Sequence, residues 1–172
     1  MEELFTIYNA QQQPTKKTGV RGIPLKKGEY RMVVTVLLFN HQNELLIQQR
    51  SSNKNSFPNL WDFSASGQVL ADEPIFKGAE RELHEELGIS INLADTPSRF
   101  VCSFEEGWDH YFFVQQDIDM SQLKLQKEEV QHVAFVTQSE FDQLVESGDF
   151  IPYLFNPMIF DLFYQTSEHK KH

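Results

Sequence analysis

The chain has 172 residues, 40% of them hydrophobic and 23% charged, an ordinary globular composition that excludes wholesale disorder and suffices for a buried core. Its formal net charge of -10 argues against a general nucleic-acid or anionic-membrane binder, since such surfaces need clustered Lys and Arg. One cysteine, Cys102, excludes an internal disulfide, MEELFTIYNAQQQ carries no signal-peptide-type run, and VVTVLLF is too short to span a bilayer, so a cytoplasmic single domain over residues 1–172 is expected.

Residues 1–30 scatter Lys16, Lys17, Arg21, Lys26 and Lys27 among Gly19, Gly22 and Gly28, which reads as loop or short strand, with the core running from about 30 to 165. YRMVVTVLLFN (30–40) is β-branched and apolar, a buried strand. HQNE turns, and ELLIQQR (44–50) answers as the second strand of a hairpin. The polar loop SSNKNSFPNL leads to one further strand, WDFSASGQV. Residues 73–88 form the clearest helix, with Asp72 or Glu73 as cap, Pro74 in the first turn and Gly88 just past the end. Strands follow near 99–104, 110–116 and 130–137, then helices at 139–148 and 157–166, and a frayed tail over 167–172. Interspersed strands and helices predict an α/β fold with a mixed sheet and helices on both faces.

On the 73–88 helix, Phe76, Ala79, Leu83 and Leu87 share the core stripe, while Lys77, Glu80 and His84 fall opposite and read as solvated. Glu82, Glu85 and Glu86 form a third stripe, which Gly78 joins one turn earlier with room for something to approach. At helical spacing, like charges repel by about 3 kcal/mol per pair at a dielectric near 20. A solvated acidic face is the commonest meaning of such glutamates. Yet only Lys77 and Arg81 are at hand to neutralise them, whereas a hard divalent cation takes just such oxygen ligands together with substrate phosphates.

From Gly67 through Glu73 to Arg81-Glu82-Leu83-x-Glu85-Glu86-x-Gly88-Ile89, every fixed position resembles the signature motif (67–89) of the Nudix hydrolases. The resemblance implies the Nudix α/β/α sandwich with a central mixed sheet, and hydrolysis of a diphosphate linked to another moiety, X. It further implies Mg²⁺ or Mn²⁺ on Glu82 and Glu86, with Glu85 a further ligand or base. Arg81 would orient the cluster, Glu73 would brace the loop, and the Ser66 carbonyl before Gly67 would add a backbone ligand. A small-molecule diphosphate partner follows, in a monomer or homodimer.

The flank QQRSSNKNSFPNLWDFSASGQV resembles isopentenyl-diphosphate isomerases and their hydrolase-like relatives, in which a basic pair at the positions of Arg50 and Lys54 binds the substrate diphosphate. The isomerase pattern of Cys-Gly-His reads Ser66-Gly67-Gln68 here, and residues 1–40 contain no histidine. The expected function is therefore metal-dependent pyrophosphohydrolysis of a nucleoside diphosphate derivative or related compound. An isomerase and a non-catalytic nucleotide sensor are the alternatives. An extra acid could come from Glu105, Glu106, Asp109 or His110 in EEGWDH, or from Glu128 and Glu129, although each reads more simply as a loop side chain. Trp108 and Phe57 read as core, Cys102 as a small buried hydrophobe, and His41, His84, His132, His169 and His172 carry no assigned role.

Overall fold

The computed structural model describes residues 2–169, with side chains to residue 165. The N-terminal segment is more ordered than its composition suggests: β1 (Leu4–Tyr8) and β2 (Pro14–Val20) form an antiparallel hairpin. The signal lies in the alternation of LFTIY, which buries Phe5 and Ile7 on one side. Gly19 makes room for that packing, because a Cβ there would overlap the Phe5 ring.

β3 (Arg31–Phe39) is the spine of the main sheet. It pairs in parallel with β8 (Gly107–Gln115) and antiparallel with β6 (Ala65–Gln68), and β8 pairs antiparallel with β7 (Phe100–Phe104). β4 (Leu45–Arg50) meets β3 only at Phe39–Leu45, then diverges to pair with β5 (Trp61–Asp62) and β9 (Val130–Val136). The sheet is therefore mixed and split along its middle.

The single strand expected over WDFSASGQV is interrupted at Phe63-Ser64, and the interruption makes the split. The Ser64 hydroxyl accepts from Leu38 N at 2.9 Å and donates to Leu46 O at 2.6 Å, tying β3 to β4 where their ladder ends. Its neighbours on either side then follow different strands.

Helices cover both faces. α1 (Ile75–Leu87) buries Ala79, Leu83 and Leu87 against Val34, Val36, Leu46 and Phe112. α2 (Gln138–Ser147) and α3 (Ile159–His169) bury Phe141, Ile159 and Phe160 against Leu37, Phe39, Ile47 and Phe63 on the other face. α2 begins with a full capping box, Thr137 with Glu140. This is the α/β sandwich expected; the tail beyond 169 lies outside the described residues.

Three local expectations are corrected. Pro74, not Asp72 or Glu73, is the N-cap of α1, and its ring carries no group that could make a side-chain cap bond, while Glu73 is turned to Leu70 N and Arg81. Glu80 is not solvated: the chain after α1 crosses it, and its carboxylate accepts from Leu93 N at 2.8 Å. Asp109 is not a loop residue, because β8 already starts at Gly107 after a two-residue turn at Glu105-Glu106, ahead of the start expected at His110. Gly107 permits that early start, since a Cβ would collide with the Arg31 carbonyl.

Candidate active site

The carboxylate-bearing side of α1 faces the split in the sheet. Gly67 on β6 is the seat of Glu82: a Cβ there would overlap the Glu82 carboxyl group and force it off β6. Glu86 lies one turn further and is only 6% exposed. Gln48 of β4 donates to it at 2.6 Å and also donates to Ser64 O at 3.2 Å, so the split itself orients Glu86. Burial first, and the charge of Glu82 next, push the Glu86 carboxyl up to about 8. Burial likewise raises Glu82 against the opposing pull of Arg81. Glu85 is half exposed at the rim.

Arg81 organises these acids. Its guanidinium donates to Glu73 Oε1 at 2.9 Å, Glu82 Oε1 at 2.7 Å, Glu85 Oε2 at 3.1 Å and the Gln68 carbonyl at 2.8 Å. Burial disfavours its charge, but the hydrogen bond to Glu73 and the charge of Glu82 hold its pKa above the usual value. Glu73 is clamped in turn by Leu70 N at 2.9 Å, and Gly78 leaves space for its carboxylate: a Cβ there would stand 3.1 Å from Glu73 Oε2. What Gly78 admits is therefore Glu73 and Val69, not an external group. Gly88 ends α1 at φ 74°, where its N–H reaches back to Leu83 and His84 carbonyls.

The structure thus brings Gly67, Glu73, Arg81, Glu82, Glu85 and Glu86 together. Ser66 precedes Gly67 on β6, its hydroxyl within hydrogen-bond distance of Thr35 Oγ1 at 3.1 Å. Arg50 and Lys54 stand on the β4 side of the split, both tied to acids. Arg50 donates to Asp62 Oδ2 at 3.3 Å and to the Ser56 carbonyl at 3.0 Å, and Lys54 pairs with Glu129.

Two buried acids on the face opposite α1 belong to the same neighbourhood, and sequence reading missed one of them. Asp62 accepts from Tyr153 Oη at 3.0 Å and Phe63 N at 2.8 Å, and burial raises its pKa despite Arg50. The strand pattern of WDF offered no cue beyond a polar residue between aromatics. Asp109 accepts from Thr35 Oγ1 at 3.0 Å and from Tyr111, and burial pushes it up to about 6. Phe100, Tyr111, Tyr153 and Phe155 stack around these acids at centroid distances of 4.4–5.2 Å.

The other candidates fall elsewhere. Glu105 sits in the β7–β8 turn, and Glu106 beside it pairs with Arg31 at 3.2 Å. Glu128 is exposed. His110 faces the α1 side, 3.4 Å from Ser98 Oγ. Trp108 packs on Tyr30, Phe57 is exposed, and Cys102 is partly buried beside Asp109. His41 pairs with Asp117.

Among the described residues no three His, Cys, Asp or Glu side chains converge as a metal-binding group, since Arg81 stands among the glutamates. The donor set still fits a hard divalent cation. All its atoms are oxygens, Glu82 is seated where no side chain fits, and Glu86 is held buried at a cost that an added positive charge would relieve.

A split mixed sheet between helices, with this glycine–arginine–glutamate arrangement at its edge, defines a Nudix domain. The family model for the NUDIX domain matches residues 29–154, and the chain belongs to the Nudix hydrolase family. A protein described as an uncharacterized Nudix hydrolase of Listeria monocytogenes is 45% identical over 169 residues, 98% of this chain and 99% of that one. The isopentenyl-diphosphate Delta-isomerase of Streptomyces avermitilis is 32% identical over 121 residues, 66% of this chain and 60% of the isomerase. In fold, the crystal structure of a Deinococcus radiodurans protein matches with a TM-score of 0.74 at 19% identity, covering 91% of this chain and 97% of that one.

Proposed function

We propose that the chain hydrolyses the diphosphate linkage of a nucleoside diphosphate derivative or a related pyrophosphate, using Mg²⁺ or Mn²⁺. The observation that carries this reading is the pair of carboxylates at the split, Glu82 seated on Gly67 and Glu86 buried behind it under Gln48. Glu82 and Glu86 would hold the ion, with Glu85 and the Ser66 carbonyl as further ligands. A bound divalent ion there supplies neutralisation of phosphate oxygens and activation of water.

The remaining work belongs to the chain. Arg81 holds Glu82 and Glu85 in register through one planar fork, and Glu73 fixes that fork against the β6 carbonyl. Glu85, the most exposed of the three, takes the proton of the attacking water. Water attacks phosphorus, the P–O bond to the leaving phosphate breaks, and two phosphate products leave. Arg50 and Lys54 grip the substrate phosphates from the β4 side, sharing their donors with Asp62 and Glu129.

The isomerase alternative has similarity to the Streptomyces enzyme behind it, but Ser66 offers no thiol and Gln68 no imidazole at the corresponding positions. The test is cleavage of a panel of nucleoside diphosphate derivatives and prenyl diphosphates, read as the monophosphate products formed. Activity with Mg²⁺ or Mn²⁺ is expected for the wild type, with a loss of about a thousandfold or more in Glu82→Gln. A protein that binds nucleotides tightly but forms no monophosphate product is a sensor, and one that interconverts isopentenyl and dimethylallyl diphosphates is an isomerase.

A further inference from the structure

Next to Gly67 in sequence, Gln68 joins Phe5, Arg21, Ile23, Arg31 and Glu106 in lining a cavity of about 250 Å³. Two of its donors are buried without an acceptor among the described residues: Arg31 Nε and Gln68 Nε2. Their orientation is not arbitrary. Arg31 Nη1 donates to Gln68 Oε1 at 3.2 Å, so the amide presents its NH₂ group away from Arg31; the flipped amide would set donor against donor. Gln68 itself is only 9% exposed. A third donor group, the Arg21 guanidinium, lines the same cavity and stands near enough to Glu82 for the two charges to interact.

The acids nearby do not satisfy this arrangement. Glu106 meets Arg31 Nη2 at 3.2 Å and Glu3 meets Arg21 at 2.6 Å, each pair at least about one-third exposed and leaving Arg31 Nε and Gln68 Nε2 unbonded. Exposed pairs of this kind return less free energy than burial of two unsatisfied donors costs. Each guanidinium at the cavity has one carboxylate partner, Glu3 for Arg21 and Glu106 for Arg31, and both of these pairs lie toward solvent. A tetrahedral oxyanion, with acceptors on several sides, suits a small space lined by two guanidinium-bearing residues and an amide with an unbonded NH₂ group.

We propose that this cavity, formed where the chain after β2 closes over Arg31 and Gln68, is a phosphate site. It would receive one phosphoryl group of the substrate, so that the scissile linkage spans from the cavity to the carboxylate helix. The assignment to substrate rests on the hydrolase reading; the binding of phosphate does not. Ile23, largely exposed at the cavity wall, and the adjoining Pro24 and Leu25 then make residues 23–25 a wall beside that phosphate.

The test uses inorganic phosphate as probe, without divalent metal. Phosphate is expected to raise the melting temperature of the wild-type protein and of Glu82→Gln above matched ionic strength in chloride. Gln68→Leu, which removes the unbonded NH₂, and Gln68→Glu, which keeps a partner for Arg31 but repels the anion, are expected to weaken phosphate binding by about tenfold or more. In turnover the same variants raise KM with kcat held within a few fold. No phosphate effect in the wild type, or retention of that effect in both Gln68 variants, overturns the site. A phosphate effect with unchanged KM in those variants overturns its assignment to substrate, and loss of turnover in Glu82→Gln with the phosphate effect intact separates this site from the carboxylate site.

Discussion

Glu86 and Asp109 are carboxyl groups placed where water is scarce, and their protons report it. Folding lifts Glu86 from 4.5 to about 8 and Asp109 from 3.8 to about 6, burial being the leading cause for both. The folded chain therefore holds these protons more tightly than the unfolded chain does. The stability they contribute is complete below the unfolded values and is lost as pH rises through the folded ones. For metal-free protein, Asp109→Asn is expected to flatten the fall in stability between pH 4 and 6, a change of no more than about 3 kcal/mol since one pKa unit is about 1.4 kcal/mol. Glu86→Gln is expected to melt higher than the wild type by about 3 °C or more at pH 9 without divalent ions, and to be inactive with them. Urea unfolding across pH for both variants checks the pair. A slope unchanged by either substitution would locate the pH dependence elsewhere. Gly67→Ala tests the seat of Glu82: its Cβ would occupy the carboxylate's position, so activity falls more than stability does.

At the scale of elements, α1 is closed at its C-terminal end by local chemistry and held across its middle by Arg81. Gly88 adopts φ 74° and closes the last turn, and a Cβ there would stand 3.0 Å from Lys124 Cβ. Gly88→Ala is expected to cost about 1–2 kcal/mol in chemical denaturation, more than a helix-end substitution without strain. Arg81→Lys keeps the charge but has no fork to span Glu73, Glu82 and Glu85. Its kcat is expected to fall about a hundredfold while the fold survives, measured by turnover alongside a far-UV spectrum. The same comparison explains which parts of these elements were legible. The 3.6-residue stripe of Ala79, Leu83 and Leu87 marked the helix, and the fixed spacing from Gly67 to Ile89 marked the motif. The break at Phe63-Ser64 was not legible, because a hydroxyl that ends a ladder looks in sequence like any small residue in a strand. Nor was the early start of β8, which depends on the fit of Gly107 against the Arg31 carbonyl.

For the molecule as a whole, the split sheet is what converts a stripe of like charges into a site. It lets Gln48 from β4, Gly67 from β6 and Arg81 from α1 meet around Glu82 and Glu86, and it sets Asp62 and Asp109 with their aromatic surround on the opposite face. A ligand that binds only this assembled arrangement stabilises it by mass action. Millimolar Mg²⁺ or Mn²⁺ is accordingly expected to raise the melting temperature of the wild type and to leave Glu86→Gln unmoved. Equal melting curves with and without the ions would count against a metal at Glu82 and Glu86. The amino-acid sequence by itself determined the alternation and helical stripe that make an α/β fold, and the spacing that gathers Gly67, Glu73, Arg81, Glu82, Glu85 and Glu86, because both are periodicities carried by neighbouring residues. Only the tertiary structure decided that Arg50 and Lys54 lean on Asp62 and Glu129, that Asp109 points inward from a strand, and that Arg31 and Gln68 leave donors unbonded beside Arg21. Those outcomes depend on which side chains from distant segments share a dry space, and burial of that kind has no period to read.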